Sequence, residues 1–434
     1  MEEKMLFENI TIIDENLKVR PCMYVGVKDD KIAYISEEAP SEDFGRRYDG
    51  KGKCLMSGFF NGHAHSPMTM LRGYGENMDL QEWLFDYIFP YEEHLTSERV
   101  YAATMLAAAE SLRYGIVSSN DMYYFCEDMV RAYLDSGIKG NISRSVSIMD
   151  DVPLLSTAPG NESRQLFDDY DGAGDGRIKI DMSLHSEYTN IERTARELAE
   201  LTKELGTGMH VHVSETKKET EECIARHGKT PAAFLADAGL FDTRTIAAHC
   251  VWLTDDDMRI LKEKDVFVAV NPISNLKLAS GVCKVPELIK KDVKLCIGTD
   301  STASNNSLDF IEEMKIFAIA PKMYYNKPSE ITAEEVLHAA TKGGALSQGR
   351  SDTGVLKEGA KADLIVLDIS GPHMHPVHDL RHNLVFSACG SDVVMTMIDG
   401  RVLYENGEYT TIDIEKVIYD TEKANSGILS ELGA

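Results

Sequence analysis

Between Leu55 and Ser301 one pattern recurs eight times: a short apolar run ends in polar residues, and a helical stretch usually follows. The runs are "LMSGFFNGHAH", "GIVSSNDM", "GNISRSVSI", "IKIDMSLHS", "GMHVHVSE", "RTIAAHCVW", "VFVAVNPIS" and "VKLCIGTDS". Stretches such as "SERVYAATMLAAAESLRY", with Thr96 or Ser97 as its cap, and "NIERTARELAELTKEL" carry the helical pattern. Strands that alternate with helices run parallel, because each helix carries the chain back to the same end of the sheet. Eight such units predict an α/β fold, a (β/α)8 TIM barrel.

The two ends of the chain read differently. "MLFENITIIDEN" and "CMYVGVKDDKIAYIS" alternate roughly in period two and turn at Asp29-Asp30. "ADLIVLDIS" and "VVMTMIDGRVLYENGEYT" resume that pattern, with turns at Asp399-Gly400 and Glu405-Asn406-Gly407. Chain termini often lie together, so both ends are expected to build one small β-sandwich domain. The expected division is 1–56 and 353–434 for that composite domain and its tail, and 57–352 for the barrel.

The formal net charge of −26 sets a surface that repels polyanions, which argues against nucleic acid as a partner. A small neutral or zwitterionic substrate is compatible with it. No apolar run approaches the length of a membrane span, and the start "MEEKMLFENI" lacks an export signal pattern. Eight scattered cysteines without a C-x-x-C pair read as reduced thiols in a cytoplasm. Oligomeric state is open, and a homo-oligomer is compatible with the sequence.

In such a barrel, chemistry is done at the C-terminal ends of the strands. His63 and His65 end the first run, His185 the fourth, His212 and Glu215 the fifth, His249 the sixth and Asp300 the eighth. Three neutral imidazoles and a carboxylate suit Zn²⁺ or a similar first-row divalent ion, so His63, His65, His212 and Asp300 are the expected ligands. Such an ion lowers the pKa of water towards ~7, and Asp300 is placed to take the released proton. Glu215 is spare as a ligand and becomes the candidate proton shuttle to a substrate. His249 is placed to hydrogen-bond the developing tetrahedral centre.

Each residue alone has a plainer reading. Most H-x-H pairs are structural or exposed, "AAHCVW" fits a core histidine, and "GTDS" fits a turn. The coincidence of all these positions at strand ends outweighs those readings. His373, His375 and His378 in "HMHPVHD" lie outside the barrel and are expected to be structural. Trp83 and Phe85 are expected to pack. Lys179, the one lysine in the fourth run, falls early in it, which argues against a lysine-bridged pair of metals and for a single one.

The motifs "NGHAHSPMTMLRG", "DLQEWLFDYIFPYEEHL", "HVHVSETKKE", "AAHCVWLTDDDM", "NPISNLKLASG" and "GTDSTASNNSLDFIEEMK" resemble the amidohydrolase superfamily. Within it they are similar to the 5'-methylthioadenosine/S-adenosylhomocysteine deaminase branch, over the chain from the N-terminal strands to about Gly407. The resemblance implies hydrolytic deamination at C6 of 5'-substituted adenine nucleosides, with one divalent metal ion, Zn²⁺ first and Fe²⁺ or Mn²⁺ as alternatives. The substrates implied are S-adenosylhomocysteine, 5'-methylthioadenosine, 5'-deoxyadenosine and adenosine. It matches Glu215 to the residue that protonates the purine ring nitrogen and His249 to the histidine beside the metal-activated water. It also matches Glu92 to the carboxylate that holds the ribose, and puts Arg144 and His185 near the nucleoside and its 5' group. Two positions depart from the family pattern. Glu187 stands where proline is common, either near the 5' side or turned away from it, and Ser301 follows the aspartate where glycine is common. The alternatives are another ring, such as guanine, a pterin or a triazine, and a barrel that has lost its chemistry.

Overall fold

The protein is described by a computed structural model over residues 4–78 and 80–433. The barrel strands are β1 (Phe59–Ala64), β2 (Ile116–Tyr123), β3 (Lys139–Val146) and β4, in two pieces (Ile178–Ile180 and Met182–Leu184). They continue as β5 (Met209–Val213), β6 (Thr245–His249), β7 (Phe267–Val270) and β8 (Lys294–Ile297). Each pairs in parallel with the next, and a parallel bridge from Ala64 to Asp300 brings the last strand against the first. Every residue of β1 and β2 is buried, as expected of parallel strands covered on both faces.

The break in β4 falls at Asp181, whose buried carboxylate takes Arg244 at 2.5 Å, the Asn141 amide at 2.8 Å and the Gly208 N–H at 3.1 Å. That knot lies near the starts of the strands, away from their C-terminal ends. Lys179 is nearby and donates to the Gly349 carbonyl at 2.6 Å, so it takes no part in the mouth of the barrel.

The two chain ends form one continuous nine-stranded sheet with its own apolar core, including Phe7, Ile10, Val25, Leu364 and Val366. The turns at Asp29-Asp30, Asp399-Gly400 and Asn406-Gly407 each join neighbouring strands of it. Buried Lys139, the first residue of β3, ties barrel to sheet through Asp363 at 2.6 Å and Asp399 at 2.7 Å.

Helix α1 (Ser97–Arg113) is capped by Thr96, which accepts from the Arg99 N–H. Helix α2 (Ala158–Tyr170) follows β3. Beyond the last strand, where the sequence pattern predicts only a tail, the chain forms α3 (Ile414–Leu432). Val417, Thr421 and Ile428 are its buried positions, a helical spacing that lays one stripe against α1. Among the described residues no helix is long and apolar enough to cross a membrane.

Candidate metal centre and active site

His63 and His65 leave the end of β1, His212 the end of β5, and Asp300 stands three residues beyond β8. A glycine lets these ends meet. A Cβ on Gly298 would come within 2.8 Å of the His63 Cβ and 2.3 Å of the Asn271 Oδ1. Asp300 itself sits at φ +59° and His249 at +70°, a region non-glycine residues enter at a cost that functional sites often carry.

The donor atoms converge. His63, His65 and His212 each offer a ring nitrogen within 4.8 Å of the others. Asp300 Oδ1 lies 3.3 Å from His63 Nε2 and 3.4 Å from His65 Nε2. His65 Nδ1 is 2.6 Å from the Met122 carbonyl oxygen and His212 Nδ1 2.6 Å from that of His185. A carbonyl only accepts, so each Nδ1 carries the hydrogen, and in the neutral ring each Nε2 turns a lone pair to the centre. These two Nε2 atoms lie 3.3 Å apart with no proton to share. His63 Nε2 is buried and has no hydrogen-bond partner. Lone pairs facing one another in a largely buried site suit an electrophile, and three nitrogens with one carboxylate fit a divalent transition ion. The Met122 and His185 carbonyls, and the His210 ring that meets His63 Nδ1, are the kind of orienting contacts that metal-ligating histidines usually have.

Electrostatics fit the same use. Burial holds His63 down at about 3, and burial together with the neighbouring imidazoles holds His212 well below its ordinary value. Both are therefore neutral, as ligands must be. Burial works against ionisation of Asp300, but His63, His249 and His65 outweigh it and hold the carboxyl well below the usual range. Ser274 Oγ and Ser304 Oγ donate to Asp300 Oδ2 at 2.5 and 3.1 Å, which leaves Oδ1 to the histidines.

Beside this centre stand His249 and Glu215. His249 Nε2 lies 3.9 Å from Glu215 Oε2 and 4.0 Å from Asp300 Oδ2, and its Nδ1 is held 2.8 Å from Asn275 Oδ1. Burial alone would lower His249, but the flanking Glu215 and Asp300 raise it. Burial raises Glu215, a carboxyl primed to carry a proton. Glu219 fixes the turn that presents Glu215 by accepting the Glu215 N–H at 2.7 Å and the Ser214 N–H at 2.9 Å.

Glu92 lines the same pocket and also the cavity that adjoins it, which Glu215, His249 and Asp300 do not line. The segment carrying it winds loosely: the Phe89 N–H reaches back to the Leu84 carbonyl, and Pro90 has no N–H to offer. Tyr123 OH donates to Glu92 at 2.6 Å. Burial pushes the Glu92 carboxyl up to about 7, against the pull of that hydrogen bond. Helix α3 braces the segment: Tyr91 OH donates to Asn425 at 2.8 Å, and Glu431 pairs with Arg99 at 2.6 Å and His94 at 2.9 Å.

One inner pocket takes in His65, His212, His249, Asp300, Glu215, Glu92 and His185. His185 stands against His212, ring centres 5.0 Å apart. Trp83 is buried and also lines this pocket, whereas Phe85 is exposed. Arg144 faces instead an adjoining outer cavity of about 550 Å³, which shares Phe89, Glu92 and Tyr124 with the inner pocket. Glu187 is turned away from both. It is fully buried and paired with Arg226 at 2.9 Å and His227 at 3.1 Å. Ser301 is buried in the loop after the aspartate, 3.1 Å from Ser304 Oγ. The triplet "HMHPVHD" does not converge on itself: His373 lies 2.8 Å from Asp392, near Cys389.

Behind the His63 ring, His210 and Asn120 escaped the sequence reading. His210 Nε2 meets His63 Nδ1 at 2.7 Å, and Asn120 meets the other nitrogen of His210 at 2.8 Å. The signal for His210 was present, because "HVH" in β5 repeats the H-x-H of β1.

The chain is similar to known proteins over most of its length. The model of the Amidohydrolase family matches residues 54–403. A 5-methylthioadenosine/S-adenosylhomocysteine deaminase from Caldanaerobacter subterraneus subsp. tengcongensis is 38% identical, over 98% of this chain and 98% of its own. A 5'-deoxyadenosine deaminase from Methanosarcina mazei is 37% identical over 94% of both. Among solved structures, an adenosine deaminase from Xanthomonas campestris with bound zinc superposes with a TM-score of 0.91 at 30% identity, over 98% of both chains. The chain belongs to the amidohydrolase family, in the branch that includes the 5-methylthioadenosine/S-adenosylhomocysteine deaminases.

Proposed function

We propose that this protein hydrolytically deaminates C6 of 5'-substituted adenine nucleosides, giving the inosine analogue and ammonia. The observation that carries the reading is one pocket lined by Glu215, His249 and Asp300 and also by Glu92, which alone of the four lines the adjoining outer cavity as well. That arrangement suits a molecule with a reactive ring beside the first three and hydroxyls reaching towards the outer cavity. A free base would leave Glu92 unused.

His63, His65, His212 and Asp300 would hold the metal, with Zn²⁺ the first choice and Fe²⁺ or Mn²⁺ accepted by the same donors. When bound, such an ion supplies a water nucleophile at neutral pH. The rest is work for this chain's own side chains. Glu215 gives a proton to the ring nitrogen beside C6, so that electron density leaves the C6 centre. His249, held by Asn275, donates from Nε2 to the oxygen that develops there. Asp300 Oδ2 accepts the proton of the attacking water and passes it to the leaving amine. The C–O bond forms and the C–N bond breaks; one water proton passes through Asp300 to ammonia, and the other, left on the C6 oxygen, returns to Glu215 as the carbonyl forms and replaces the proton given to the ring nitrogen. Glu92, oriented by Tyr123, accepts from the ribose hydroxyls and sets the distance from sugar to C6.

The test is spectroscopic. The metal-loaded protein is mixed with adenosine, 5'-deoxyadenosine, 5'-methylthioadenosine and S-adenosylhomocysteine, and the adenine absorbance is followed. Loss of that band towards the hypoxanthine band is expected. A flat trace with all four, together with ammonia release from guanine, a pterin or a triazine, would sink the proposal.

A further inference from the structure

We propose that the outer cavity sorts substrates by the charge of the 5' substituent, accepting neutral and cationic groups and disfavouring anionic ones. This rests on the reading of the inner pocket as a nucleoside site. That pocket encloses only about 70 Å³, well below the several hundred typical of ligand sites. A nucleoside with its ring at Glu215 therefore continues past Glu92, and the cavity that shares Glu92, Phe89 and Tyr124 is where its 5' end emerges.

The walls of that cavity are one-sided in charge. Glu92, Glu93, Glu127, Asp128 and Glu162 line it, and Arg144 is the one cationic side chain among its lining residues. Arg131, at 3.1 Å, matches Asp128. Arg144 is the obvious docking point for a carboxylate, but its charge is already answered. Its Nε donates to Glu162 at 2.6 Å, an Nη donates to the Ser145 carbonyl, and the guanidinium lies over the Tyr124 ring, 4.9 Å from its centre. An arriving carboxylate must displace Glu162 or share Arg144 with it, inside a cavity with four other acids. Like charges placed so close cost affinity. An ammonium or an uncharged thioether meets no such opposition. The departure visible in the sequence, Glu187, has no part in this, because it is buried and paired with Arg226, beside His227, and lines neither cavity. Glu162, on α2, is the residue that decides.

Four probes sharing one adenosine measure the effect on the metal-loaded protein. They are 5'-methylthioadenosine (neutral), S-(5'-adenosyl)-3-thiopropylamine (cation), S-adenosylhomocysteine (zwitterion) and S-(5'-adenosyl)-3-thiopropionate (anion). At low ionic strength the thiopropionate is expected to show a kcat/KM about tenfold or more below that of 5'-methylthioadenosine, mostly through KM. The thiopropylamine is expected at or above the neutral probe. The anion-to-neutral ratio should climb towards unity in about 1 M salt, where charges are screened within ~3 Å. In Glu162→Gln the same ratio should rise several-fold. An anionic probe processed as well as the neutral one at low salt overturns the inference, as does a ratio that neither salt nor Glu162→Gln moves. Deamination of none of the four overturns the functional reading itself, a distinguishable failure.

Discussion

His63-Ala64-His65 and His210-Val211-His212 are the same pattern on the same kind of strand, and they do different things. In β1 both rings turn a nitrogen to the point where the donor atoms converge. In β5 only His212 does, while His210 stands behind and meets the far nitrogen of His63 at 2.7 Å. Spacing by two puts both members of each pair on one face. Position along the strand sets their depth. β1 ends at Ala64, so its pair straddles the rim, whereas β5 runs on to Val213 and its first histidine lies lower in the barrel. A residue pattern identifies a face, and only its register against the strand end says whether a side chain reaches the mouth.

The comparison can be broken by exchanging roles. The largest effect is expected from His65→Ala and His212→Ala, one from each pair. Both should lose turnover together with the bound divalent ion, read by elemental analysis after gel filtration. A His212→Ala protein that keeps its metal would mean that β5 contributes no ligand. Next comes Glu215→Gln, three residues beyond His212. It should keep the metal and lower kcat by ~10²–10⁴. Metal loss there instead would make Glu215 a ligand rather than a proton carrier.

His210→Asn sharpens the contrast within β5. Metal affinity should fall by ~10–100-fold, as for other residues that orient a ligand, and excess metal should restore turnover. A loss as complete as that of His212→Ala would erase the distinction between the rim and the layer beneath it.

The smallest effect belongs to Tyr123, the last residue of β2. Burial pushes Glu92 up to about 7, and its ionised form accepts ribose hydroxyls more strongly than the protonated one, so KM for a nucleoside should climb as pH falls through that value. The Tyr123 hydroxyl donates to Glu92 and favours its charged form. Tyr123→Phe should therefore move this limb to higher pH, measured as KM against pH. A limb that stays in place would separate Glu92 from the ribose.

Much of this was legible in one dimension. Alternating strands and helices pointed to the barrel, and the period-two ends pointed to a shared sheet. Short parallel strands show themselves locally, because burial on both faces demands continuous apolar residues. The part of Asn120 was not legible, since a buried polar residue inside a strand looks alike whether it serves a ligand or only its own backbone. Nor was α3, although Val417, Thr421 and Ile428 carry its spacing, because its face has meaning only against α1. Glu187 shows the limit most clearly. Its sequence neighbours His185 and Tyr188 line the inner pocket, while Glu187 itself is buried against Arg226 and His227, some forty positions along the chain.

The sequence by itself determined which residue types stand at the strand ends, and so the kind of chemistry available: imidazoles and carboxylates for a divalent ion and for moving protons. Tertiary structure alone decided which of them converge, which of two like histidines lies at the rim, and which charges are already answered. Those outcomes depend on strand register and on ion pairs such as Arg144–Glu162 and Arg226–Glu187, between residues distant in the chain. Periodicity reports the face a side chain takes on its own strand or helix. Its partner is fixed only when another element is packed against that face.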